Sequence, residues 1–182
     1  LHDGRFLKKA LMIACPVALQ GMLNTIVNMV DTLMIGGLGS TAIAAVGLAN
    51  KVFFVFSLLV FGIVSGGGIL AAQFWGSGDV KNIRKVLGLC VMLAMVGAMF
   101  FVVPALTAPR MVMRIFTTSE GSIELGAKYL RIAALSYPFI ALTNVYVAML
   151  RATNKVVFPV ICSCIAIVVN ICLNYVLIFG KF

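Results

Sequence analysis

Charge is what this sequence has least of. Of its 182 residues only 10% are Asp, Glu, Lys or Arg, just five are acidic, and 63% are apolar. Soluble domains run to about a quarter charged and about half apolar, so this chain cannot cover itself with a hydrated surface. With a mean hydropathy of +1.15 it reads as a membrane protein. Catalytic equipment is scarce as well. The one histidine, His2, is terminal, and there is no metal-ligand spacing, no nucleophile signature and no second acid inside an apolar span. These absences disfavour a membrane enzyme and call for no cofactor. Gly62 and Gly66 to Gly68 lack the strand context of a phosphate loop. The five cysteines (Cys15, Cys90, Cys162, Cys164 and Cys172) form no CxxC and lie in apolar segments, where they read as small packing residues.

Positive charge is in excess, at a formal +9, but Lys and Arg are scattered beside apolar runs with no aromatic-interleaved basic patch. We therefore expect no nucleic-acid partner, and read these residues as orienting helices in a bilayer. Arg5, Lys8 and Lys9 precede an apolar segment as in a signal peptide, yet the Asn-rich, Asp-containing continuation and four later spans argue for a first membrane helix.

Breaks at Gly36 to Ser40, Gly76 to Asp79, Thr107 to Ser122 and Arg151 to Lys155 predict an all-α, polytopic transmembrane helical bundle of about five helices. The expected spans are 8–36, 42–74, 81–106, 123–150 and 155–179. The second and fourth exceed the roughly 20 residues that cross about 30 Å of hydrocarbon, so they should tilt, bend or project into the interface. Asp79 in GSGDVKNIRK is placed to cap the third helix. PRMVMRIF, with TTSEGSIELGAKYL, is amphipathic and expected at the membrane surface.

With the N-terminus inside, Arg5, Lys8, Lys9, Lys81, Arg84, Lys85, Arg151 and Lys155 fall on the cytoplasmic side. Lys51, Arg110, Arg114, Lys128, Arg131 and Lys181 then lie outside. The tight basic inner loops favour that orientation, in a bacterial-type cytoplasmic (inner) membrane. The sequence has no initiator Met and stops just after the fifth span, so a partner half is expected beyond residues 1–182.

One acid stands out. Asp31 lies in QGMLNTIVNMVDTLMIGG, within the first span, where a charged side chain costs roughly 2.5–3.5 kcal/mol on insertion scales. At about 100° per residue, Gln20, Asn24, Asn28 and Asp31 fall near 0°, 40°, 80° and 20° on the helical wheel, with Pro16 near −40°. Such a face must look toward protein or water. Amides alone would serve as an interhelical seam, but a carboxylate adds an ionisation cost that points to use. Asn170 and Asn174 are one turn apart on the fifth helix, and Tyr137, Ala141, Asn144, Ala148 and Arg151 share a face of the fourth. Gly62 and Gly66 make a small-xxx-small pair for close helix packing or bending, and Pro16 and Pro138 are expected to kink their helices.

The order of PVALQ, VDTLMIGGLGSTAIAAVGLANKVFF, LLVFGIVSGGGILAAQFWGSGD, KYLRI and NICLNYVLIFG resembles the N-terminal part of multidrug and toxic compound extrusion (MATE) transporters over nearly the whole chain. The resemblance implies a twelve-helix transporter of two six-helix lobes, exporting organic cations and related drugs in exchange for H+ or Na+. Residues 1–182 would be most of the N-terminal lobe. It makes Asp31, the acid of the VDT motif, the ion-coupling residue. Some branches pair that acid with an Asn and an acid four apart on the fifth helix; the matching positions here are Asn170 and Asn174, an amide replacing the second acid. Asp31 could take up and release a proton, or join Asn170 and Asn174 in holding Na+. Gln20, Asn24, Asn28, Tyr137 and Asn144 are then expected to face a substrate cavity. Two alternatives remain: a lipid-linked oligosaccharide flippase of the same superfamily, for which no intramembrane cationic cluster is present, and a non-transporting scaffold subunit whose polar stripes are packing seams.

Overall fold

In the computed structural model, residues 14, 15, 18, 19, 21–23, 25–27, 29 and 40–179 are described, except for the side chains of 40 and 174–179. They are helical apart from short connections, with no strand among the described residues. The chain divides into two compact units: Ile35–Thr153, and Leu1–Met34 together with Asn154–Phe182.

The larger unit contains α1 (Ser40–Gly76), α2 (Val80–Thr107), α3 (Pro109–Arg114), α4 (Glu120–Ala134) and α5 (Tyr137–Ala152). The other holds the described helical residues between 14 and 29, and α6 (Val157–Phe179). Among the described residues two helices, Thr41–Gly76 and Val80–Thr107, are individually long and apolar enough to cross a bilayer, and α4 with α5 pass the same test only together, as a bent pair that forms a broken span or a re-entrant loop. The protein is an integral membrane protein, and its described residues are built on helices. At 1.5 Å per residue, the 37 residues of α1 extend about 55 Å, well beyond the hydrocarbon thickness.

The link between α1 and α2 follows from two residues. Gly78 takes φ 73°, the left-handed conformation glycine adopts without a Cβ penalty. Around it, Asp79 N donates to Phe74 O at 2.9 Å and Gly78 N to Trp75 O at 3.2 Å, a paired closure of the helix end. Asp79 then opens α2 as expected: its Oδ1 accepts from Asn82 N at 3.1 Å and its Oδ2 from Asn82 Nδ2 at 2.6 Å.

α1 packs on α2, α4 and α5, and α2 on α5. The α2 side of the core is made of small residues: Ala94 and Ala98 are fully buried, and a Cβ on Gly97 would come within 2.5 Å of Leu59 Cδ2. The α1 helix meets it with Phe56 and Val60. Close approach along the glycine-rich part of α1 occurs at a different residue from the expected pair. Gly62 and Gly66 are exposed, and a Cβ added to either would meet nothing within 4 Å among the described residues. Gly67 is the buried one, and its added Cβ would overlap Cys90 Sγ and come within 3.2 Å of Met149 Cε. The reason is rotational: Gly66 and Gly62 lie about 100° and 140° around the helix from Gly67. Cys90 thus packs in the core as expected, whereas Cys15, Cys162, Cys164 and Cys172 are exposed.

Residues 123–150, expected as one span that tilts, bends or projects, lie in two helices meeting at 48°. Pro138 has no N–H and its ring excludes the carbonyl of residue i−4, here Ala134, from a continuing helix. The chain accordingly stops α4 at Ala134 and restarts with Pro138 in the first turn of α5, where a missing donor costs nothing. Leu135 N and Ser136 N tighten the corner by donating to Ile132 O and Ala133 O at 3.2 and 3.0 Å.

Candidate functional site

Asp31, Gln20, Asn24, Asn28 and Pro16 lie outside the described residues. Their described neighbours are helical and sort by side. Met22, Ile26 and Met29 are 64%, 56% and 65% exposed, while Leu23 and Val27 are half-buried. An exposed row of large apolar side chains is a face suited to acyl chains. On α6, Asn170 is exposed, and Asn174 follows one turn later with its side chain outside the described set.

The polar face expected on α5 is split. Tyr137 is only 2% exposed. Its ring stacks on Phe56, with centroids 4.7 Å apart and planes 9° from parallel, and tilts against Phe53 at 5.7 Å. It is a core residue of this unit, not a wall of an open cavity. Asn144 is exposed. The buried residues of α5 are Tyr137, Ala141, Val145 and Met149, a step of four. That step drifts about 40° each time, carrying the buried face away from the Asn144, Ala148 and Arg151 side. Tyr137 and Ala141 sit where both series begin.

Polar side chains on these helices turn inward upon their own backbone. Ser57, Thr107, Ser136 and Thr143 hydroxyls donate to carbonyls three or four residues back, at 2.7–2.8 Å. Each hydroxyl is thereby satisfied without a partner from another helix, as hydrocarbon surroundings require. Among the described residues no group of three or more His, Cys, Asp or Glu side chains could hold a metal ion.

One polar link between helices was not foreseen. Arg131 of α4 donates through Nε and Nη2 to Leu106 O, both at 3.3 Å. Leu106 O belongs to the last turn of α2, whose carbonyls have no partner within the helix. The sequence signals only a basic residue on an amphipathic segment; its acceptor lies 25 residues away, and no local pattern marks it.

Comparison with known proteins gives a consistent result. The MatE family model matches residues 16–176. A probable multidrug resistance protein NorM from Thermotoga maritima is 30% identical over 177 residues, covering 96% of this chain and 38% of that protein. A probable multidrug resistance protein YoeA from Bacillus subtilis is 31% identical over 176 residues, covering 92% of this chain and 36% of its own. A solved MOP superfamily transporter from Pyrococcus furiosus shares the fold with a TM-score of 0.86 at 22% identity, over 95% of this chain and 38% of that one. The chain spans less than two fifths of the length of these relatives.

Proposed function

Because the chain belongs to the MatE family, we propose that it forms part of a secondary active antiporter exporting organic cations, drugs or other toxic compounds in exchange for H+ or Na+. The observation that carries this reading is the match over 16–176, which includes the acid of the VDT motif, Asp31, and the paired amides Asn170 and Asn174. Residues 1–182 supply most of one lobe, and a second lobe completes the twelve-helix transporter. The N-terminus faces the cytoplasm of a bacterial-type inner membrane.

In this mechanism Asp31 is the ion-coupling group. A carboxylate in low-dielectric surroundings favours its protonated form, and opening to water on one side favours the charged form, so alternating access moves a proton. If Na+ is the coupling ion, Asp31 supplies the charge and Asn170 and Asn174 supply neutral oxygens for a hard cation. Either way exchange follows when ion and drug prefer different conformations. Gln20, Asn24, Asn28 and Asn144 contribute hydrogen-bonding groups to the substrate path. The apolar row Met22, Ile26 and Met29 supports this: on a helical wheel it lies opposite the polar stripe, so lipid contact on one side leaves the stripe for the interior.

The test is efflux of a fluorescent organic cation by the full-length protein in liposomes, driven by a proton gradient in one arm and a Na+ gradient in the other. Asp31→Asn is expected to abolish gradient-driven efflux while leaving the protein folded. Efflux at the wild-type rate would sink the assignment.

A further inference from the structure

Where α2 ends, the chain turns through α3 into α4 around a cavity of about 420 Å³. Its lining carries three cations, Arg110, Lys128 and Arg131, against one carboxylate, Glu124. The balance, three positive charges less one negative, is +2. Lys128 Nζ is 3.1 Å from Glu124 Oε1, and Arg131 is directed to Leu106 O. Arg110 acts on Glu124 through space and makes no hydrogen bond among the described residues. The Arg114–Glu120 pair alongside, at 3.3 Å, is neutral and does not offset the excess.

The same corner has an apolar outer surface. On α3, Met113 is fully buried, held in a notch made by Gly126, whose added Cβ would overlap Met113 Cε and come within 3.3 Å of Ala45 O. Relative to Met113, Arg110 and Arg114 lie about 60–100° around the helix, and Met111 and Ile115 about 160–200°, directly away from the core. Met111 and Ile115 are 73% and 77% exposed, and Ile132 of α4 is 75% exposed. Cations beside outward-pointing large apolar side chains, at the end of a membrane-spanning helix, are the pattern of a segment lying in the headgroup region.

We propose that this cavity binds the phosphodiester headgroup of an anionic phospholipid, with Arg110 and Lys128 on the phosphate and the acyl chains along Met111, Ile115 and Ile132. A free anion would use the charge and leave the apolar surface uncovered. A zwitterionic headgroup would bring its own cation against a cavity already at +2. The bound lipid would hold α3 and α4 at the interface, independently of which compound or ion the transporter moves.

The experiment is calorimetric titration of the detergent-solubilised, full-length protein with dihexanoyl phosphatidylglycerol, dihexanoyl phosphatidylcholine and inorganic phosphate. Phosphatidylglycerol should bind about tenfold or more tightly than phosphatidylcholine, and more weakly as salt rises. Arg110→Gln/Lys128→Gln should lose about tenfold of that affinity, and Glu124→Gln, which removes the opposing charge, should gain several-fold. A loss caused merely by misfolding would not be accompanied by the Glu124→Gln gain. If the double variant does not fold, Arg110→Gln alone, which breaks no hydrogen bond, carries the test. Equal binding of the two lipids, or wild-type affinity in the tested arginine variant, overturns the proposal. Inorganic phosphate binding as tightly as phosphatidylglycerol overturns the lipid as its source. Drug efflux is not read in any arm, so failure here and failure of the transport assignment are separable.

Discussion

Gly66 and Gly67 are adjacent, identical and both helical, yet the structure gives them opposite surroundings, so alanine at each isolates a single packing term. Replacing glycine by alanine in a helix interior gains about 1 kcal/mol of backbone propensity. That gain is common to both and cancels in the comparison. At Gly66 the new methyl group meets nothing within 4 Å among the described residues. At Gly67 it overlaps Cys90 Sγ, in a site where Cys90 is only 4% exposed, and crowds Met149 Cε. Overpacking of this kind costs about 1–3 kcal/mol. Gly67→Ala should therefore be less stable than Gly66→Ala by about 2 kcal/mol, or about 4–8 °C in melting temperature for a chain of this size. Thermal denaturation of the detergent-solubilised variants, followed by loss of the monodisperse peak on size-exclusion chromatography, measures the difference. Cys90→Ala in the Gly67→Ala background removes the clashing sulfur and leaves Cys90 Cβ at 3.7 Å, an ordinary contact. It should recover most of the loss. Equal melting temperatures for the two glycine variants, or no recovery with Cys90→Ala, would refute the assignment of Gly67 as the close-contact residue.

Three further outcomes use the same stability assay. Gly78→Ala meets no steric neighbour within 4 Å but must hold φ 73°, which should cost about 1–2 kcal/mol; Gly78→Asn should cost less, and equal effects would discount the backbone argument. Asp79→Ala removes the acceptor of the α2 cap and should destabilise by about 0.5–2 kcal/mol, with Asp79→Ser recovering part of it. Tyr137→Ala empties the stack against Phe56 and should cost about 3–5 kcal/mol, whereas Tyr137→Phe should retain most of the stability; a stable Tyr137→Ala protein would contradict a core role for the ring.

The legible parts of this fold are those governed by local chemistry. The ends of α1 and α2 follow from unbroken apolar runs stopped by GSGD and by Pro109, and Asp79 caps because its acceptor oxygen needs only the next turn. Pro138 lies where the fourth expected span breaks. Its outcome as a 48° corner with a fresh helix start depends on what α4 and α5 each pack against, and LSYP alone carries no trace of that. Residue type also misdirects. The hydroxyl of Tyr137 suggested a polar surface, but most of the side chain is an aromatic ring, and burial against Phe56 and Phe53 decides its place. Glycine type shows where two helices can approach, not which of four glycines faces the neighbour. The bond from Arg131 to Leu106 joins residues far apart in sequence and is invisible to any window.

The turn at Ser77 to Asp79 bears on the order in which the protein is made. Only those three residues separate α1 from α2, and no other pair of helices in the larger unit packs more extensively. A chain emerges N-terminus first at about 5–20 residues per second, so both arms of this hairpin are synthesised within seconds and before the α3–α4 corner exists. The glycine-closed turn brings them together with almost no loop to close. The hairpin thus pairs as it is made, and its Phe56 ring, set against Phe101 of α2 with centroids 5.7 Å apart, presents the face on which Tyr137 later stacks.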